Sequence, residues 1–145
     1  VMGTDIKVLM IGGDRRMESE RLGWNIPENV IFLGTGDLSD ETVAYAYISS
    51  DALVFTSTDE GFGLPMMEGM SLGLPIIGVK ATTVPEIVGD AGIVIEDPFN
   101  PSAMKNAIME IIRNKDEYSL KSINRSQLFS KERFKEKIKL IYESI

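Results

Sequence analysis

The sequence has 145 residues, 43% of them hydrophobic, and its 22 acidic and 15 basic side chains give a formal charge of −7. This length and composition suit one ordinary domain with a single hydrophobic core. The negative charge argues against a nucleic-acid-binding protein, which needs a basic face. Because the sequence contains neither histidine nor cysteine, disulfides, thiol nucleophiles, most zinc sites and the Ser-His and Cys-His triads are excluded.

The hydrophobic runs of the sequence are short. Residues 52–55 and 74–77 are among the longest, and both fall far short of the roughly 18 residues that a membrane-spanning helix needs. We also expect no signal peptide at the start. The sequence therefore predicts a soluble segment located in the cytoplasm.

The first predicted elements are a strand, a helix and a second strand. Residues 6–11 form a short apolar run that stops at Gly12-Gly13, as a buried strand before a tight turn does. The polar residues 15–22 follow as a predicted helix. Residues 30–33 form the next apolar run, which also ends at a glycine.

The alternation continues to the end of the sequence. A helix is predicted after Ser39, whose hydroxyl suits a helix N-terminus. The remaining strands are predicted at residues 52–56, 75–79 and 92–95, and the helices after them at 65 onward, 85–88 and 101–113. Five apolar strands that alternate with helices predict an α/β fold, a Rossmann-like open parallel sheet with helices on both faces.

The last segment is charged and carries one apolar stripe. In residues 131–145, Phe134, Ile138 and Ile141 are spaced to share one face of a helix. Two interpretations remain open, because this face suits packing either against its own domain or against a second one. No repeat, low-complexity segment or Gly/Ser linker interrupts the sequence, so residues 1–145 are predicted to form one domain.

The loop after the third strand carries the most information. In parallel sheets, ligands bind beyond the carboxyl ends of the strands. There the sequence reads Asp59-Glu-Gly-Phe-Gly-Leu-Pro65, which places a carboxylate and two glycines before a predicted helix. Pro65 suits the first helical position. The amides of Gly63, Leu64, Met66 and Met67 would then be free at the positive end of the helix dipole, where a diphosphate binds well.

Two carboxylates flank this loop. Glu60 comes just before it, and Glu68 is expected in the first turn of the helix. Carboxylates repel phosphate but accept hydrogen bonds from sugar hydroxyls, so the combination predicts a nucleotide sugar as the ligand. A purely structural role fits the same residues, with Glu68 complementing the helix dipole, Glu60 capping a turn and the glycines serving a tight connection.

The segment Glu60-Gly-Phe-Gly-Leu-Pro-Met-Met-Glu68 resembles the E-x7-E signature of the glycosyl transferases group 1, a family of retaining, two-domain (GT-B, GT4-type) enzymes. Residues 51–57, 84–92 and 29–34 resemble the neighbouring blocks of that family in the same order. The resemblance runs from about residue 5 to the end. This agreement favours the functional interpretation of the loop over the structural one.

The resemblance implies a role for each residue of the motif. Glu60 would be catalytic and would face the hydroxyls of the donor hexose, while Glu68 would bind the ribose. Gly34 and Leu38 would line the base pocket. Oxygens of the donor sugar and phosphates would be bound by Gly61, Phe62, Gly63, Leu64, Gly12 and Gly13.

The family also implies the reaction. It would be a retaining transfer of a hexosyl group from a UDP- or GDP-sugar to an unknown acceptor, with neither a metal nor a cofactor, in which the departing phosphate takes the acceptor's proton. The leaving diphosphate needs stabilisation by amides and by a cation. Arg15, Arg16 and Lys80 lie near strand ends, but we expect them at solvated surface positions outside the catalytic site.

The same resemblance implies that the sequence is the C-terminal, donor-binding half of a larger enzyme. In the family, an Arg and a Lys follow the first strand of this domain, and Val1 precedes what resembles the second strand. We therefore expect that strand and an N-terminal acceptor-binding domain to lie outside these residues. The fragment alone would be inactive, and any peripheral membrane association would occur through the missing domain only.

Two alternatives remain. The first is a non-catalytic module that binds a nucleotide or a sugar nucleotide. The second is an enzyme of the same architecture with other chemistry, such as a nucleotide-sugar epimerase or a phosphorylase. Epimerases lack the Glu-Gly-Phe-Gly-Leu-Pro run, and a phosphorylase would need a pyridoxal-binding lysine that the sequence does not identify.

Overall fold

The computed structural model describes residues 6–12, 14–23, 25–34, 38–59 and 61–144. Strands and helices alternate through most of this part of the chain, and three consecutive helices end it. The elements are β1 (Val8–Ile11), α1 (Arg15–Leu22), β2 (Val30–Leu33), α2 (Asp40–Ile48), β3 (Leu53–Phe55), α3 (Leu64–Ser71), β4 (Ile76–Val79), α4 (Val84–Val88), β5 (Gly92–Ile95), α5 (Pro101–Arg113), α6 (Lys115–Gln127) and α7 (Lys131–Glu143).

The strands are parallel, as predicted, but they form two sheets where the sequence predicted one. β1 pairs with β2, and β3, β4 and β5 pair in that order. The chain also divides into two compact units, Val1–Ala46 and Tyr47–Ile145, although no linker composition marks the boundary within α2. The apolar run at residues 6–11 predicted a buried strand, but three of the four residues of β1 are exposed. Apolar runs also do not indicate which strand lies beside another.

The smaller unit contains β1, β2 and α1, and α1 has a clear signal at each end. The Asp14 side chain caps its start by accepting hydrogen bonds from the amides of Arg16 and Met17 at 2.9 and 3.2 Å. Gly23 ends the helix with a φ of 69°, the left-handed conformation in which glycine is favoured. These two caps explain why this polar segment forms a helix without any buried residue.

In the larger unit, β4 is the centre of the core. All four of its residues are buried, and they alternate between two hydrophobic clusters. Ile76 belongs to a cluster with side chains of α3 and α4, whereas Ile77 and Val79 pack with β5 and α5. A strand with a helix layer on each face must be apolar throughout, which is what the sequence of β4 predicts.

The three C-terminal helices differ in how they are anchored. α5 begins at Asn100, whose side chain accepts a hydrogen bond from the Ala103 amide at 3.0 Å. In α6 the buried Ser122 hydroxyl donates to the Ala91 carbonyl at 3.2 Å. Every residue of α7 is exposed, so its apolar stripe does not pack against its own unit. Within the described ranges, no helix has the length and hydropathy that a membrane crossing requires.

Candidate donor site at the start of α3

The loop singled out by the sequence connects β3 to α3. Gly63 lies immediately before the helix with a φ of 74° and a ψ of 52°, a left-handed conformation that costs other residues about 1–2 kcal/mol. A Cβ at this position would also overlap the Cε of Met66, which is completely buried. The start of α3 therefore requires glycine at position 63.

The first turn of α3 differs in detail from the prediction. The helix begins at Leu64, so Pro65 occupies the second helical position. The Met66 amide, which was predicted to be free, donates to the Gly63 carbonyl at 3.0 Å. Leu64 is the first helical residue, and amides at a helix start have no acceptor within the helix. The amides of Gly63 and Leu64 thus lie at the positive end of the helix.

Glu68 lies in the second turn of α3, and the prediction that placed it in the first turn is wrong because no acidic residue occupies that turn. Its exposed carboxylate accepts a hydrogen bond of 3.4 Å from the hydroxyl of Tyr47. Tyr47 itself is buried, with 7% of its surface exposed. No local signal in the sequence connects Tyr47 with Glu68, because the two residues are 21 positions apart.

Burial of Tyr47, with a smaller contribution from the Glu68 carboxylate, raises the pKa of its phenol to about 12. Since the usual value is about 10, the folded protein holds this proton more tightly than the unfolded protein does. The resulting stabilisation is complete below about pH 10 and is lost as the pH rises towards 12. We expect Tyr47→Phe to abolish this alkaline loss of stability.

The measurement is the free energy of unfolding in urea from pH 8 to pH 11.5, together with the tyrosinate absorbance over the same range. Tyr142→Phe is the matched control, because this phenol is 75% exposed on α7. If wild type and Tyr47→Phe lost stability equally above pH 10, the assignment of the alkaline transition to Tyr47 would be wrong.

The predicted site residues are distributed over both units. Gly61, Phe62, Gly63, Leu64 and Glu68 lie together on the loop and first turns of α3. In the smaller unit, Gly12 and Gly34 directly follow β1 and β2 and both have positive φ, and Leu38 is half-buried. Glu60 and Gly13 lie outside the described residues, so their roles stay predictions.

The three cations near strand ends all have partners of their own. Arg15 donates to the carbonyls of Ile26 and Pro27 at 2.8 and 3.0 Å. Arg16 pairs with Glu20 at 2.9 Å. Lys80 donates to both carboxylate oxygens of Glu96 at 2.9 Å, with more than half of each side chain exposed. These contacts agree with the expected surface positions.

The sequence matches the family described as glycosyl transferases group 1 over residues 2–128. This chain belongs to that family. It is 36% identical over 110 residues to O-antigen chain mannosyltransferase B of Escherichia coli, an alignment that covers 73% of this chain and 28% of that protein. It is 32% identical over 133 residues to N-acetyl-alpha-D-glucosaminyl L-malate synthase of Bacillus anthracis, covering 85% of this chain and 34% of that one.

Solved structures of GT-B glycosyltransferases share the fold of this group 1 chain. Sucrose-phosphate synthase from Thermosynechococcus elongatus aligns with a TM-score of 0.76 and 25% identity, covering 95% of this chain and 38% of that one. HepE from Anabaena, solved with UDP and glucose, aligns with a TM-score of 0.71 and 22% identity, covering 98% and 41%. The predicted fold class is confirmed, and the chain spans about a third of the length of these relatives.

Proposed function

We propose that this chain is the donor-binding part of a retaining glycosyltransferase that transfers a hexosyl group from a nucleoside-diphosphate sugar. The observation that carries the proposal is the start of α3, where glycine-dependent geometry brings the first amides of the helix and the Glu68 carboxylate onto one short segment. Membership of the group 1 family supports transfer of a sugar. Complexes with UDP and a sugar, as in HepE and the pneumococcal O-GlcNAc transferase GtfA, support a nucleotide donor.

Each part of the segment would bind a different part of the donor. The amides of Gly63 and Leu64 would donate to diphosphate oxygens, which helix N-termini bind through both hydrogen bonds and the dipole. The Glu68 carboxylate would accept hydrogen bonds from the ribose hydroxyls. Glu60 would accept hydrogen bonds from the hexose.

We propose that the transfer retains the configuration at the anomeric carbon, as the family resemblance implies. The acceptor hydroxyl would attack the anomeric carbon on the face from which the nucleotide leaves, while the bond from that carbon to the phosphate oxygen breaks. The departing diphosphate would take the acceptor's proton. Donors fixed before the reaction stabilise the charge that develops on this leaving group, and we propose a transfer in which no metal takes part.

The proposal is tested by calorimetric titration of the chain with UDP and with GDP, using inorganic pyrophosphate for comparison. We expect saturable binding of one nucleoside diphosphate at one site, which also identifies the base. Pyrophosphate should bind more weakly, because it cannot contact Glu68 through a ribose. If neither nucleotide bound saturably, the proposed donor site would be wrong.

A further inference from the structure

An aromatic contact joins the C-terminal region to the loop before α3. The rings of Phe62 and Phe129 lie with centroids 6.1 Å apart at an interplanar angle of 77°, an edge-to-face arrangement. Such pairs contribute attraction beyond the area that they bury. Phe62 comes from the loop before α3, and Phe129 comes just after α6, so the contact joins segments 67 positions apart.

Arg125 also contacts the Phe129 ring. Its guanidinium carbon lies 5.4 Å from the centroid of the Phe129 ring. The same guanidinium donates to the Ile87 carbonyl at 3.1 Å and to the Glu86 carbonyl. Carbonyls at the end of a helix lack partners within the helix, so Arg125 fixes the end of α4 and Phe129 at once.

The packing at Gly89 shows how closely Arg125 fits there. A Cβ at Gly89 would lie 2.7 Å from the guanidinium carbon of Arg125. Glycine at this position leaves the space that the guanidinium occupies beside the end of α4. The guanidinium that contacts Phe129 is therefore itself closely packed within the larger unit.

Phe62 is the loop residue that Phe129 contacts, so Phe129 and Arg125 can restrict the loop through it. It is flanked by Gly61 and Gly63, which have no side chains and lose the most conformational freedom on ordering. Side-chain contacts that restrict these three residues must therefore pass through Phe62. Phe62 is 47% exposed. Its position is therefore restricted by the contact with Phe129 and not by burial in the core.

We propose that Phe129, held by Arg125, is a positioning residue for the donor loop. By fixing Phe62, it keeps the amides at the start of α3 in the orientation that a diphosphate requires; this last link rests on the proposed function. Phe129 lies one residue beyond the family match, which ends at residue 128. Membership of the family therefore does not by itself supply this contact.

The test uses Phe129→Ala, with Phe99→Ala as the matched control, because Phe99 is 90% exposed. Amide hydrogen exchange of the free protein is followed in peptides covering residues 58–67 and 76–79. We expect faster exchange in Phe129→Ala alone at the Met66 amide, which donates to the Gly63 carbonyl at 3.0 Å, with the β4 peptide unchanged. Nucleoside diphosphate affinity should fall by about two- to tenfold, as expected for the loss of one aromatic pair, and Phe129→Tyr should restore both measurements.

Unchanged exchange at the Met66 amide in Phe129→Ala would overturn the proposal, as would an equal increase in Phe99→Ala. If Phe129→Ala does not unfold cooperatively, Phe62→Leu tests the same contact from its exposed side and should give the same local increase. The exchange measurement needs no nucleotide. A wild-type protein that binds neither UDP nor GDP would therefore count against the proposed function, while the exchange result still decides the role of Phe129.

Discussion

Replacing Glu68 with alanine is expected to weaken nucleoside diphosphate binding by about tenfold to 100-fold. Hydrogen bonds to a charged group contribute about 1.5–3 kcal/mol, and each 1.4 kcal/mol corresponds to about a tenfold change in affinity. The carboxylate is exposed in the second turn of α3, and alanine is the best helix former. The substitution should therefore leave the helix intact and affect mainly the ligand.

A modified nucleotide makes this experiment specific for the ribose. The loss caused by Glu68→Ala should be large for the ordinary nucleoside diphosphate and should almost vanish for its 2′,3′-dideoxy analogue, which lacks both hydroxyls. Glu136→Ala removes an exposed carboxylate from α7 and controls for the change in net charge. An equal loss of affinity for both nucleotides would show that Glu68 does not bind the ribose.

Replacing Gly63 with valine is expected to lower the free energy of unfolding by about 2–5 kcal/mol and to abolish nucleotide binding. The left-handed conformation costs about 1–2 kcal/mol, and inserting carbon atoms into a packed site costs about 1–3 kcal/mol more. Met66 is completely buried, so its methyl group has little room to move away. The substitution should therefore damage folding as well as binding.

Thermal unfolding with and without the nucleotide separates these effects, because a ligand that binds only the folded protein stabilises it by RT ln(1 + [L]/Kd) and so raises the melting temperature. Gly61→Ala is the control, since a Cβ there would meet no atom within 4 Å. It should melt close to the wild type, whereas Gly63→Val should melt lower and show no shift with nucleotide. A Gly63→Val protein that melted at the wild-type temperature would contradict the strained geometry.

Local signals in the sequence located most elements well. The predicted bounds of β2, β5, α1 and α5 coincide with those observed, because the two strands are clear apolar runs and the two helices have N-terminal caps, Asp14 and Asn100. The division into two sheets was not predictable in this way. Strand pairing depends on contacts between distant residues, and the apolar sequences of β2 and β3 do not indicate which strands they pair with.

Prediction of the site from the sequence was limited in the same way. The motif placed Gly63 and Glu68 on one segment, but the position of Glu68 within the helix depended on a start that differs by one residue from the prediction. The contacts that surround the motif were missed, since Tyr47 and Phe129 read as ordinary apolar residues of helical segments. Both contacts join residues far apart in the sequence, where periodicity gives no information.

The start of α3 offers hydrogen-bond donors that belong to the main chain, and this affects how the protein can be studied. Backbone amides have no titrating proton, so any anion that they bind meets the same donors across the whole range in which carboxylates change charge. They also survive every side-chain truncation that leaves the helix start in place. Alanine scanning of residues 61–67 would therefore detect the glycines that shape this segment and would leave its hydrogen-bond donors unnoticed.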